Sequence, residues 1–271
     1  MVKFENKSQD VNFDHLAKRF SRNVYGGLKG AIRLAVLKRD FDQWIPGIHS
    51  KDSLSILDAG AGQGHFSINL ANLGHQLTLT DISEQMLNLA RQRIQRDKLT
   101  DRVTLVAQPL QNLRRYFSEG GSEGRGQFDI VICHAVMEWL AEPNSVFDAL
   151  LPLVKPQGFF SLLYYNYHGL QFKNLLRTNF NLVDAASFQA YKGSLTPINP
   201  LEPNTVMNWL RQQPLTLICN TGVRVFHDYI FDRQIRENAA NAIVEKELEY
   251  STRDPFWRMA RYIHLLCKKN G

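Results

Sequence analysis

The run ILDAGAGQGHF (56–66) sets a carboxylate, Asp58, just ahead of three glycines at 60, 62 and 64. Glycines let a backbone pass close to a ligand with no Cβ in the way. A GxxxxGK[ST] phosphate loop is excluded, because no Lys-Ser or Lys-Thr follows Gly64. The GxGxG spacing also matches a dinucleotide GxGxxG fingerprint poorly. Asp58 argues the same way: a carboxylate repels a pyrophosphate and attracts an ammonium or a sulfonium. The next strand ends at Asp81, where a carboxylate can accept hydrogen bonds from both hydroxyls of a ribose. Its alternative is to cap the helix starting near Ser83. Beyond the third strand, the backbone N–H near Leu110 and the amide of Gln111 are placed to meet an adenine edge. His134 ends the fourth strand and reads equally well as a ligand contact or as a satisfied buried histidine.

The elements that must hold these groups alternate. LSILDAG (54–60), QLTLTDIS (76–83), RVTLVAQ (102–108), FDIVICHAV (128–136) and FFSLLYYN (159–166) read as strands. HFSINLANLG (65–74), SEQMLNLARQRIQRDKL (83–99) and NSVFDALLPLV (144–154) read as helices between them. Met86, Leu87, Ala90 and Ile94 form the apolar face of the second, and KPQG (155–158) reads as a turn. This alternation predicts an α/β fold with a mostly parallel, doubly wound sheet. Residues 166–205 break the pattern and read as an insertion with short helices. TLICNTGVRVFHDYI (216–230) and RYIHLLCK (261–268) read as late strands, the C-terminal one antiparallel. The helix between them shows Ala240, Val244 and Leu248 at fourfold spacing. Residues 13–45 read as helical with a break at Gly26–Gly27, and SEGGSEGRGQ (118–127) as a surface loop. The expected organisation is one domain over 1–271, with a helical cap (1–50), a ligand-binding core (51–165), and an insertion plus C-terminal strands (166–271).

Cys133, Cys219 and Cys267 form no CxxC, which predicts neither a structural metal site nor a disulfide framework. The charged N-terminus lacks an apolar leader and no apolar run is long enough to span a bilayer, so a cytoplasmic protein with no membrane partner is expected. The net charge of +6 divides into +4 over 1–50, −3 over 51–154 and +5 over 155–271. Basic flanks around a mildly acidic core suit a polyanion such as RNA as well as they suit solvated helix faces.

Taken together these residues resemble the class I S-adenosylmethionine-dependent methyltransferases. FDHLAKRFSRNVYGGLKGAIR (13–33), LDAGAGQGH (57–65), HAVMEWLAEP (134–143), YYNYHGL (164–170) and TGVRVFHDYI (221–230) further resemble the bacterial tRNA 5-carboxymethoxyuridine methyltransferases. The resemblance implies S-adenosyl-L-methionine as cofactor and the anticodon loop of tRNA as partner. The implied reaction is methyl transfer to the carboxylate of wobble 5-carboxymethoxyuridine, giving its methyl ester. It implies a cofactor set of Arg33, Gly60, Ala61, Asp81, Leu110, Gln111 and His134, to which the residue reading adds Asp58. Arg33 enters through the resemblance, as a bidentate partner for the methionine carboxylate.

A carboxylate acceptor is ionised at neutral pH, with a pKa of about 4, and needs no base. No catalytic acid or base is therefore expected. No [DNS]PP[YFW] motif is present, and Cys133 lacks a preceding proline. What the reaction does need is positive charge beside the acceptor. Arg224 is the first expectation for that task and Arg261 the second. His227 can share the site with Arg224 only if the strand ends or bulges between them. A cross-strand ion pair of Arg224 with Asp228 or another acid is the plain alternative. Tyr165, Asn166 and His168 follow the fifth strand, and Tyr165, Tyr167 and Trp139 are candidates to stack an unpaired base. Two other readings share the same cofactor residues: a small-molecule carboxyl or O-methyltransferase, and a non-catalytic S-adenosylmethionine-binding RNA module.

Overall fold

The computed structural model describes residues 10, 14, 26–119, 127–183 and 197–271. The expected helix over 13–25 and most of the 118–127 loop lie outside them. In chain order the elements begin with α1 (Gly27–Trp44), β1 (Ser55–Ala59), α2 (Ile68–Asn72) and β2 (Gln76–Asp81). Next come α3 (Glu84–Arg96), β3 (Val103–Ala107), α4 (Leu113–Glu119), β4 (Phe128–His134) and α5 (Ser145–Leu150). The chain ends with β5 (Val154–Tyr165), α6 (Tyr167–Leu176), α7 (Pro203–Arg211), β6 (Leu215–Val223), α8 (Arg233–Asn238), α9 (Ala240–Tyr250) and β7 (Tyr262–Lys269).

The seven strands form one sheet in the order β3-β2-β1-β4-β5-β7-β6. β3, β2, β1, β4 and β5 pair in parallel, and β7 runs antiparallel to both of its neighbours. Side chains alternate across each strand, so consecutive apolar residues feed two cores. Leu57, Val131, Cys133, Phe160 and Leu162 pack into one layer; Ile56, Ile130, Ile132, Leu163 and Leu266 pack into the other with Ile32, Val36 and Phe41 of α1. Strand order reverses between β1 and β4. The crevice beyond their carboxyl ends is where such sheets take ligands.

The structure corrects three local readings. KPQG is not a turn between elements. Lys155–Gly158 lie inside β5 as a bulge, since Phe128 pairs with Val154 and Ile130 already pairs with Phe159. The bulge holds Gln157 at φ 63° and lets Lys155 reach Asp129 at 2.7 Å. The strand read over 216–230 stops at Val223, because Arg224 takes a left-handed φ of 63°. In α9 the buried positions are Ile243 and Glu247, while Ala240, Val244 and Leu248 are half-buried. Glu247 is drawn in because its carboxylate accepts the N–H groups of Val225, Phe226 and His227 at 2.7, 3.1 and 2.7 Å. No helix among the described residues is long and apolar enough to cross a membrane.

Candidate cofactor and acceptor site

A cavity opens at the β1/β4 switch point. Its lining includes Asp58, Gly60, Ala61, Asp81, Leu110, Gln111 and His134, seven of the eight expected cofactor residues. β1 delivers Asp58 and then turns through Gly60 and Gly62, at φ 71° and 57°. A Cβ on Gly60 would stand 2.5 Å from Val136 Cγ2, so the turn is closed to any larger residue. Ala61 donates its N–H to Thr80 O at 2.9 Å, which ties the turn to the end of β2. Asp81 accepts the Gly62 N–H at 2.7 Å and the Ser83 N–H at 2.8 Å. The cap of α3 is the Ser83 hydroxyl, which accepts from Met86 N at 3.2 Å. Asp81 thus braces the glycine turn while still lining the cavity.

Charge sharpens this picture. Burial, and then the neighbouring Asp81, pushes the Asp58 carboxyl up to about 7 against a hydrogen bond from Ser67. Asp81 is also raised, by burial first. Two carboxylates in one cavity, Asp58 buried and Asp81 half-buried, favour a cationic ligand over an anionic one. Burial lowers His65, which lines the cavity, to about 4, with help from Arg93 and Arg33. His134 is held well below the usual range, by burial first. Both imidazoles are neutral at pH 7.

Arg33 stands behind the cavity rather than among its lining residues. It is 1% exposed, and its guanidinium carbon sits 4.2 Å from the centre of the Tyr262 ring. Two further groups went unread in the sequence. Asp10 lines the mouth, accepting from Gln111 at 2.7 Å and from Ala141 N at 2.9 Å. Glu138 is fully buried between Met137 and Trp139, and burial raises its carboxyl to about 7 while Arg33 pulls it down. An acid inside an apolar run was the one hint available for it.

A second cluster lies past the carboxyl ends of β5 and β6. Arg224 bonds Asp228 Oδ2, Arg261 reaches the same oxygen at 2.8 Å, and His227 Nδ1 lies 3.0 Å from Asp228 Oδ1. The end of β6 at Val223 is what brings Arg224 and His227 to one place, and Arg224 does pair with Asp228, within the loop after β6 rather than across strands. The arginines also lie over aromatic rings, Arg261 5.1 Å from Tyr165 and Arg224 5.6 Å from Tyr262. Burial and then Arg224 lower Lys29; burial and then Arg261 bring Lys173 to about 7. Asp228 itself is held well below the carboxylate range, against burial, by Arg224, His227 and Arg261. Positive charge therefore exceeds what one carboxylate can offset.

Other expected acceptor contacts have tasks within the fold. The Asn166 amide donates to Arg258 O and Ala260 O at 2.8 and 2.7 Å, and its carbonyl caps α6 by accepting from His168 N. Tyr165 and Trp139 are 5% and 7% exposed, so neither ring offers an open face for stacking; Trp139 lines the cofactor cavity instead. Tyr167 donates its hydroxyl to Val183 O at 3.2 Å. Cys133 packs in the core.

A family model described as a methyltransferase domain matches residues 50–213. Magnesium protoporphyrin IX methyltransferase (ChlM) from Synechocystis PCC 6803, solved with bound SAH, superposes with a TM-score of 0.59 at 18% identity, covering 95% of this chain and 96% of that one. The plantazolicin methyltransferase BpumL, also with SAH, gives 0.54 at 15% identity, covering 95% and 91%. Fold and cavity together define a class I S-adenosylmethionine-dependent methyltransferase. Over 96% of its length the chain is 35% identical to the tRNA 5-carboxymethoxyuridine methyltransferase of Escherichia coli O157:H7, covering 97% of that protein. The chain belongs to the tRNA 5-carboxymethoxyuridine methyltransferase family.

Proposed function

We propose that the protein methylates the carboxylate of 5-carboxymethoxyuridine at the wobble position of tRNA, forming the methyl ester, in the cytoplasm. The observation that carries this is the cationic cluster: two buried arginines share Asp228, with Lys29 and Lys173 beside them. A methyl acceptor that is itself an anion suits this surplus, whereas an amine acceptor would be repelled. The likeness to the tRNA enzymes supports the reading because it spans the C-terminal strands that build the cluster, not just the cofactor core.

The residues divide the work. Asp81 holds the ribose, Leu110 and Gln111 meet the adenine edge, and Gly60 and Ala61 admit the ligand close to the backbone. Asp58 faces the cationic end and Arg33 pairs with the methionine carboxylate. Bound there, S-adenosylmethionine supplies a methyl group on a sulfonium. The protein aligns acceptor and donor and excludes water, and its arginines hold the acceptor carboxylate still. No residue has to remove a proton.

The test is a methyl-transfer assay with labelled S-adenosylmethionine and tRNA from cells lacking this activity, read by nucleoside mass spectrometry. The expected product is 5-carboxymethoxyuridine heavier by one methylene, with a label lost in mild alkali. Cofactor binding with no gain of mass on tRNA would overturn the acceptor assignment and leave the cofactor site standing.

A further inference from the structure

Four polar side chains form an unbroken chain from α1, through the sheet, to the cofactor cavity. Asp40 Oδ2 lies 2.7 Å from His264 Nδ1, His264 Nε2 lies 2.9 Å from Ser161 Oγ, and Ser161 Oγ lies 2.7 Å from His134 Nε2. Asp40, Ser161 and His264 are at most 1% exposed. They come from three elements, α1, β5 and β7, and meet at the end of β4. Burying this many polar groups in a sheet interior is costly unless every one is satisfied. Those three stand behind the cavity wall; the fourth, His134, lines the cavity.

The protons can be placed along this chain. Ionised Asp40 is an acceptor only, and its Oδ1 already takes Arg39 Nε and Nη2 at 3.1 and 2.7 Å. His264 therefore donates from Nδ1. In the neutral form of His264 that one hydrogen is spent on Asp40, so Nε2 is bare and accepts the one hydroxyl hydrogen of Ser161. Ser161 then has only lone pairs to offer, and His134 must donate from Nε2. A neutral imidazole has one hydrogen to give. His134 Nδ1 is left bare, as the ring's remaining polar atom for a ligand in the cavity.

We propose that Asp40, His264 and Ser161 are positioning residues that hold His134 as its Nε2–H tautomer, presenting a bare Nδ1 to the ammonium of the cofactor's amino-acid end. This rests on the reading of His134 as a cofactor contact. The opposite tautomer would aim an N–H at a positive group. The cavity's polarity agrees: adenine is met at Leu110 and Gln111, ribose at Asp81, and the amino-acid end falls toward Asp58 and His134. Other groups facing the relay are Arg33, whose charge acts on His134, the Phe66 ring, 5.7 Å from His134, Cys219, within 4.8 Å of the Asp40 and His264 ligand atoms, and the Phe41 ring, 6.3 Å from His264.

Asp40→Asn tests the directionality. The introduced amide would keep its carbonyl on Arg39 and donate its N–H to His264 Nδ1. Every hydrogen in the relay would then reverse, leaving His134 with Nδ1–H while the heavy atoms stay in place. Nitrogen NMR of histidine-labelled, ligand-free protein is expected to show Nε2–H at His134 in the parent and Nδ1–H in Asp40→Asn. By calorimetry, Asp40→Asn and Ser161→Ala are expected to bind S-adenosylhomocysteine about 10-fold more weakly and 5′-methylthioadenosine, which lacks the amino-acid end, unchanged. Nδ1–H in the parent protein, or equal losses for both nucleosides, would overturn the proposal. If His134→Ala itself leaves S-adenosylhomocysteine affinity unchanged, the cofactor reading of His134 fails instead. If His134→Ala weakens binding and the tautomer does not reverse, that reading stands and the relay's role falls.

Discussion

Arg224 carries the sharpest prediction at the scale of single residues. Its guanidinium bonds Asp228 rather than any cofactor-lining group. Arg224→Ala should lower kcat/KM for tRNA methylation by about 100-fold, the order expected for losing a desolvated charged contact. Calorimetry should find S-adenosylhomocysteine binding within about twofold of the parent; equal losses in both would remove Arg224 from the acceptor side. Gly60→Ala is the complementary case. It forces an L side chain to φ 71° and into Val136. We expect cofactor affinity to fall at least about 10-fold, with a destabilisation of about 2 kcal/mol seen in denaturant titration. These two residues also differ in how legible they were. Gly60, with Asp58 and Asp81, could be read from spacing alone, because backbone approach and charge dictate residue type. The partner of Arg224 could not be chosen from sequence, since it depends on a strand ending one residue earlier.

The loop after β6 shows how an element sets the site. Three successive N–H groups, of Val225, Phe226 and His227, point at the one carboxylate of Glu247 on α9. Glu247→Gln would set an amide donor against those donors. The expected cost is about 2 kcal/mol, a fall of a few degrees in Tm on thermal melting, with a higher KM for tRNA as Arg224 loses its placement. The stripe at Ala240, Val244 and Leu248 concealed this, because periodicity reports apolar burial and is blind to an acid buried for its hydrogen bonds. In sequence, KPQG reads as a turn closing the helix before it. A proline and a glycine can sit in a bulged strand when the neighbouring strand skips residues. The five parallel strands were legible because each is a short apolar run, and a buried parallel strand needs little else.

Across the whole molecule, charge burial sets the response to pH. Asp58 and Glu138 both titrate near 7 when folded, above their unfolded values near 4. A raised carboxyl favours the folded state fully below the unfolded pKa, and that contribution disappears as pH climbs through 7. Asp228 and Asp40 are depressed and act oppositely, losing their contribution as pH falls into the acid range. The ligand-free protein should therefore be most stable in mildly acidic solution and weaken toward pH 8, by on the order of 3 kcal/mol for each raised group. If the cofactor's cationic end faces Asp58 as proposed, binding should expel the Asp58 proton. Calorimetry near pH 7, in two buffers of different ionisation heat, should detect that release in the parent and not in Asp58→Asn.

Asp10 joins Gln111 to Ala141 across the cavity mouth, and Asp14 accepts from the Ser83 hydroxyl at 2.5 Å nearby. A nucleoside seated beneath these ties cannot depart until they part. The spent cofactor should thus have a long residence time, and a product held at the Arg224 and Arg261 cluster, as proposed, should be first to leave. Asp10→Ala is expected to speed S-adenosylhomocysteine dissociation in stopped-flow several-fold with little change in its association rate. If product departure limits turnover, the same substitution would make the enzyme faster.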